Sequence, residues 1–274
     1  MIINAFKMDG LGNDFIIIDC RNKELNLTKD QIIKLCDRSF IGCDQLIFIY
    51  KNDQSDAELI FYNSDGSESA ACGNGTRCVA YLISKEENKK IINLLTKSGK
   101  LSSRILDLNL VETVIGQAKT NWNDIPISKD VNTKDLGLKI TDKKGNIFKG
   151  GTAVNVGNPH TIFFIDNINN FNLKKIGPEL ENNKLFPQRC NITLASIENK
   201  KKIITKVWER GVGLTKACGS AACATAFAGK INNLCDSTVE IVFELGNLSI
   251  DIDDNDYIKM KGPVSDIKKI EIKL

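Results

Sequence analysis

One motif occurs twice in this chain, and the interval between the copies constrains everything else. Ala71-Cys72-Gly73-Asn74-Gly75-Thr76-Arg77-Cys78 is echoed by Ala217-Cys218-Gly219-Ser220-Ala221-Ala222-Cys223, at a spacing of 218 − 72 = 146 residues. Other landmarks keep the register. Gly12-Asn13 precedes the apolar run Phe15–Asp19, and Gly157-Asn158 precedes Thr161–Asp166, at 158 − 13 = 145. Gln45 aligns with Asn191 at 191 − 45 = 146, and Phe61 with Val207 at 207 − 61 = 146. A period this long marks a duplicated domain, because solenoid repeats run about 20–50 residues. The 274 residues also suit two domains of about 150 each.

Each half carries the same pattern of elements. Phe15–Asp19, Leu46–Tyr50 and Leu59–Tyr62 read as short strands rich in branched and aromatic residues. Thr28-Lys29-Asp30-Gln31 predicts a capping box opening a helix that ends near Cys36. A helix is predicted over Asn74–Lys85, then strands at Ile91–Leu95 and Leu101–Val114. The second half predicts a strand at Thr161–Ile165, a short helix near Leu173–Leu180, and strands at Asn191–Ser196 and Lys202–Trp208. A helix from about Ser220 to Asn232 is apolar nearly all round and should be buried. More strands follow from Thr238 to Lys261. The expected class is α+β: two pseudo-symmetric lobes, each a mostly antiparallel sheet or barrel around a central helix. The expected lobes are 1–117 and 118–262, with the junction near Gly116–Asn123.

Composition removes several function classes. With 37 basic and 34 acidic residues, the formal charge of +3 is too even to make nucleic acid or a membrane surface the default partner. No apolar run approaches the roughly 18 residues of a membrane span, and the N-terminus does not read as a secretory signal. Nine cysteines, an odd number, argue against a disulfide framework and for reduced thiols in a cytoplasmic protein. No pair has CxxC spacing, and the single histidine is His160, so a zinc site is not expected. Cys20, Cys36, Cys190 and Cys235 read as small buried side chains, and Cys78 and Cys223 as helix packing.

Cys72 and Cys218 differ from the rest. Each precedes a glycine at a strand-to-helix turn, where the helix N-terminus stabilises a thiolate and lowers a thiol by up to about one pKa unit. Two such groups on opposite faces of a bound carboxylate imply stereoinversion at an α-carbon. One thiolate removes the Cα proton and the opposing thiol supplies another. Charge developing on the carboxylate would be met by backbone N–H groups at Gly73-Asn74 and Gly219-Ser220.

At this point the residues match a known family. Lys7–Phe15, Gly42-Cys43-Asp44-Gln45, Asn63–Ser67, Cys72–Cys78, Gly157-Asn158-Pro159-His160, Glu209-Arg210-Gly211 and Ala217–Ser220 together resemble the diaminopimelate epimerases over almost the whole chain. The resemblance implies cofactor-independent interconversion of LL- and meso-2,6-diaminopimelate, on the bacterial route to lysine and peptidoglycan precursors. It implies no metal, a homodimer, and a C-terminal strand, 263–274, returning to the first lobe. It implies that Cys72 and Cys218 are the base/acid pair, and that Asn13, Gln45, Asn63, Asn158 and Asn191 are substrate-binding amides. Gly73, Asn74, Gly219 and Ser220 join them, with Glu209 and with Arg210 as the clamp on the distal carboxylate. His160 and Glu209 resemble the residues that tune the cysteines. Three positions depart from the family pattern: Asp9 where His is common, Leu214 where Glu is common, and Ala221 where Gly is common. Leu214 leaves the local electrostatics of Cys218 open. Two other readings fit a paired-thiol motif: a proline or hydroxyproline racemase-type enzyme, and a non-catalytic thiol or zinc protein.

Overall fold

The computed structural model describes residues 2–274. The chain divides into two compact units, Met1–Val114 with Lys261–Leu274, and Ile115–Met260.

The first unit contains β1 (Ile2–Gly10), β2 (Asn13–Asp19), α1 (Lys29–Cys36), β3 (Gln45–Tyr50), β4 (Ala57–Asn63), β5 (Glu68–Ser69), α2 (Gly73–Glu87), β6 (Ile91–Thr96) and β7 (Gly99–Asp107). β8 (Leu110–Gln117) follows and leads into the second unit. β1–β2, β3–β4, β6–β7 and β7–β8 pair antiparallel, whereas β2–β3 and β4–β6 pair parallel. A parallel step needs a crossover. α1 makes one and α2 the other. The C-terminal strand Lys268–Lys273 pairs antiparallel with β1.

The second unit repeats this order after a separate hairpin of β9 (Leu138–Thr141) and β10 (Ile147–Gly150). It continues with β11 (Thr152–Asn155), β12 (Pro159–Phe164), α3 (Leu173–Glu181), β13 (Asn191–Asn199), β14 (Lys202–Glu209), β15 (Gly213–Thr215), α4 (Gly219–Ile231), β16 (Thr238–Phe243), β17 (Gly246–Ile252) and β18 (Tyr257–Pro263). β12–β13 and β14–β16 are its two parallel steps, crossed by α3 and α4. The register repeats as well as the order. Phe15 lies opposite Gln45 in one unit, and His160 lies opposite Asn191 in the other.

The run Phe15-Ile16-Ile17-Ile18 is continuous because β2 is buried on both faces. Phe15 and Ile17 join Ile47, Leu59 and Phe61 against Cys78, Val79, Leu82 and Ile83 of α2. Ile16 and Ile18 join Leu46 and Phe48 against Ile32, Leu35 and Cys36 of α1. Each fully buried aliphatic side chain stabilises by roughly 1.5–3 kcal/mol, which is what pins these helices. α1 opens with the predicted capping box. Thr28 accepts from the Gln31 N–H, and the Gln31 side chain accepts from the Thr28 N–H. α4 is buried along nearly its whole length, from Gly219 to Gly229 apart from Ser220.

Three readings change. The single strand expected over Leu101–Val114 is a hairpin, broken where Asn109 takes a left-handed backbone with φ 55°. β1 and the β9–β10 hairpin were not anticipated. The two thiols are not merely near their helix starts: Cys72 and Cys218 are the N-cap residues themselves.

Helix α2 sits unusually close to the sheet at Gly75. A Cβ there would lie 2.8 Å from Ile47 Cδ1 and 3.0 Å from Phe61 Cε1. Gly75→Ala is expected to lower unfolding free energy by about 1–3 kcal/mol through overpacking. Urea denaturation would read this, and an unchanged midpoint would show that the contact is not tight.

Candidate active site

In each unit the residues singled out from the sequence gather at one edge of the sheet. Asn13 begins β2, Gln45 begins β3, and Asn63 ends the antiparallel β4. Asn158 precedes β12, Asn191 begins β13, and Glu209 ends β14. The turn into α2 or α4 returns to that same strand end, through β5 in one unit and β15 in the other.

The two N-caps have nearly the same backbone: Cys72 at φ −144°, ψ 113° and Cys218 at φ −142°, ψ 118°. Neither cysteine side chain makes the usual cap hydrogen bond, and neither helix has an acidic residue in its first turn. The first-turn N–H groups, including those of Gly73-Asn74 and Gly219-Ser220, therefore face a position suited to an anion.

In the first unit, Cys72 Sγ lies 3.7 Å from Asn13 Oδ1, and that oxygen also accepts from Asn74 Nδ2 at 3.3 Å. Buried Arg77 donates to Asn74 Oδ1 at 2.9 Å. Gln45 donates to Asn63 Oδ1 at 2.9 Å, and Asn63 donates to Ser67 Oγ at 3.1 Å. Gln45 Oε1 is buried without a hydrogen-bond partner.

In the second unit, Ser220 Oγ lies 3.4 Å from Cys218 Sγ, 3.1 Å from His160 Nε2 and 3.4 Å from Asn158 Nδ2. His160 Nε2 also lies 2.8 Å from Asn158 Oδ1. Asn191 donates to the Pro159 carbonyl at 2.8 Å and accepts from the Arg210 N–H at 2.9 Å. The Arg210 guanidinium is held by the Gln188 carbonyl at 3.0 Å. Thr215 donates to Glu209 Oε1.

Burial, then the adjacent Glu209 carboxylate, push the Cys218 thiol well above its usual range, against the opposing pull of Ser220 and the Ala221 N–H. This corrects the expectation that the helix end lowers that thiol. A helix terminus is worth about 0.3–2 kcal/mol, less than the cost of ionising a fully buried group beside a carboxylate. The carboxylate at this thiol comes from Glu209, and Leu214 is substantially exposed on β15. Asp9 closes the turn before β2 by accepting from the Gly12 N–H at 3.1 Å.

Sequence reading missed Glu181. Its buried carboxylate accepts from Trp208 Nε1 at 2.7 Å and from the Gly211 N–H at 2.8 Å, docking the turn that carries Arg210. No motif surrounds it, so only its burial gives it away. It also missed Asp44, although that residue lies inside a motif already noted.

The duplicated α+β module is a fold shared with several solved structures. The hydroxyproline epimerase of Agrobacterium vitis, solved with trans-4-hydroxy-L-proline, aligns with a TM-score of 0.69 at 10% identity, over 100% of this chain and 93% of that one. A phenazine biosynthesis PhzF-family protein of Enterococcus faecalis aligns at 0.68 and 13% identity over 100% of both. Both likenesses show the fold alone. The diaminopimelate epimerase family profile matches residues 5–120 and 152–267. The diaminopimelate epimerase of Pelagibacter ubique is 63% identical over 274 residues, 100% of both chains. That of Acidiphilium cryptum is 39% identical over 260 residues, 94% of this chain and 92% of its own length. The chain belongs to the diaminopimelate epimerase family.

His160 carries a testable consequence. Burial, then the Arg210 charge, push its ring down from the ordinary imidazole range to about 3. Unfolded, it titrates near about 6.5. Between these values the unfolded chain binds a proton that the folded chain refuses, so stability falls as pH drops below about 6.5 and is unaffected above it. Carboxylates enter mainly below about pH 4.5. The urea midpoint of the wild type should fall between about pH 6.5 and pH 4.5, and His160→Gln should flatten that slope. Parallel slopes would show that His160 is not held neutral.

Proposed function

We propose that the chain interconverts LL- and meso-2,6-diaminopimelate by proton transfer at one α-carbon, with Cys72 and Cys218 as the acid/base pair. The observation that carries this reading is the shared N-cap geometry of the two cysteines, within a chain whose relatives are named diaminopimelate epimerases.

In this mechanism one cysteine, as thiolate, takes the Cα proton from one face. The other, as thiol, delivers its proton to the opposite face, so the second thiolate replaces the first and charge is conserved. Both cannot be ionised beside a carboxylate without strong repulsion. The negative charge that moves into the substrate carboxylate is stabilised by N–H groups of Gly73, Asn74, Gly219 and Ser220. Arg210 takes the distal carboxylate, where a guanidinium binds bidentately. Asn13, Gln45, Asn63, Asn158 and Asn191 satisfy the remaining polar atoms, with Glu209 serving the distal ammonium. His160, neutral and buried, acts by donating rather than by exchanging protons. No step needs a cofactor or metal. The same reading makes the enzyme a cytoplasmic homodimer with no nucleic-acid or membrane partner.

A proline or hydroxyproline racemase shares the fold but has no use for a clamp on a distal carboxylate, so the diaminopimelate reading is preferred. Incubation in deuterated water should place deuterium at Cα of LL-diaminopimelate and not of L-proline. Cys72→Ala and Cys218→Ala should each lower epimerisation by at least about a hundredfold, the scale of lost general acid–base catalysis. Unchanged turnover in either variant would overturn the two-base mechanism, and exchange into proline alone would overturn the substrate.

A further inference from the structure

Asn13 sits in a hydrogen-bond chain whose two ends are charged. Arg77 Nη2 donates to Asn74 Oδ1, Asn74 Nδ2 to Asn13 Oδ1, and Asn13 Nδ2 to Asp44 Oδ2 at 3.0 Å. A guanidinium can only donate and a carboxylate can only accept. Each asparagine between them is therefore locked in one orientation, with the Asn13 oxygen turned to Cys72 and its NH2 turned away.

Asp44 is itself fixed. Its carboxylate accepts from the Asp14 N–H at 3.1 Å and from Arg38 Nη2 at 2.6 Å. Its N–H donates to the Asp14 carbonyl at 3.0 Å and to the Asp14 carboxylate at 3.1 Å. Arg38 grips Asp14 at 2.7 and 2.8 Å. Burial would raise the Asp14 carboxyl, but Arg38 and Lys7 outweigh it and hold it at about 2, so this anchor stays ionised.

The other half of the duplication inverts the arrangement. Cys190 stands where Asp44 does, at 190 − 44 = 146, and His160 stands where Phe15 does, at 160 − 15 = 145. There the Asn158 oxygen is taken up by His160 Nε2 and its NH2 points to Ser220 beside Cys218. His160 Nδ1 is buried with no partner, which suits a bare lone pair and places the ring proton on Nε2. Two amides at one repeated position are thus held in opposite senses.

We propose that Asp44 is a positioning residue of the epimerase, which with Arg38 fixes the Asn13 amide so that an acceptor, not a donor, faces the Cys72 thiol. This rests on the two-thiol reading above. The donor side at Cys218 is set by His160 in the matching position, so the exchange of an Asp and a Phe for a Cys and a His makes the two half-sites chemically unequal.

The test compares Asp44→Asn with Asp44→Glu, measuring Cα-deuterium exchange into LL-diaminopimelate and its kinetic constants. Asn matches the size of Asp but can donate, freeing Asn13 to flip; Glu stays acceptor-only. Asp44→Asn should lower kcat by about tenfold with KM within about twofold, as expected for a misaligned reacting group. Asp44→Glu should retain more activity than Asp44→Asn. A purely steric role would rank them the other way, and that ranking would overturn the proposal. Arg38→Met, at a well-exposed position, should give a smaller loss in the same direction and serves if the Asp44 variants fold poorly. The Asn13 side-chain NH2 resonances should shift in Asp44→Asn and not in Asp44→Glu. This readout needs no turnover. If the wild type fails to exchange diaminopimelate, the functional reading falls while the resonances still judge Asp44; unmoved resonances in Asp44→Asn sink the proposal alone.

Discussion

The structure depends on a cysteine occupying an N-cap. An N-cap residue normally spends its side chain on the helix, accepting from an N–H of the first turn. Losing such a cap costs about 0.5–2 kcal/mol. Neither Cys72 nor Cys218 makes a regular side-chain cap bond, the Ala221 N–H giving Cys218 only a weak pull on its sulfur, and both helices lack acidic residues in the first turn. The helices tolerate this because they are held from the side. α2 lies against β2, β3 and β4, and α4 is buried along almost its whole length. Burial of the helix body compensates for a weakly capped end, and in the proposed reading that end receives the substrate carboxylate.

The parallel crossovers explain why the other polar residues collect beside that end. In each unit, two parallel strands begin at one sheet edge and an antiparallel strand finishes there. Asn13, Gln45 and Asn63 share one such edge, and Asn158, Asn191 and Glu209 share the other. Because each strand is held in register by buried residues on one or both faces, a one-residue slip would send every core side chain to the wrong face. Register sets where the amides stand, and hydrogen bonds such as Asn74–Asn13–Asp44 and Gln45–Asn63 set how they are turned.

Much of this was legible in the sequence because the duplication supplied a second reading of each motif. Cys72-Gly73 and Cys218-Gly219 declare a turn and a helix start, and the unbroken apolar runs declare strands buried on both faces. What stayed hidden depends on distances that no spacing records. Glu181 reaches the turn at Gly211 from a different element. The upward push on Cys218 comes from a carboxylate brought next to it by β14–β15 pairing. The break at Asn109 was missed although Asp107 and Asn109, both turn formers, mark it, because the apolar residues around them read as one strand.

Duplication creates a difficulty that the structure resolves locally. A copied module supplies two equal thiols, but the proposed proton transfer from one face to the other requires them to differ at every instant. Some of that difference comes from the substrate, whose α-carbon carries unlike groups. The protein adds a fixed part. At Cys72 the nearest amide offers an oxygen, anchored through Asp44 to an ion cluster of Lys7, Asp14 and Arg38. At Cys218 the neighbours are a hydroxyl and a carboxylate, with a buried neutral imidazole behind the hydroxyl. The backbones of the two caps remain matched to within a few degrees while their hydrogen-bond polarity is reversed. Backbone geometry is therefore matched at the two caps of the repeat. Side-chain chemistry differs around the two thiols, with the Asn13 amide at Cys72 and the Ser220 hydroxyl and Glu209 carboxylate at Cys218.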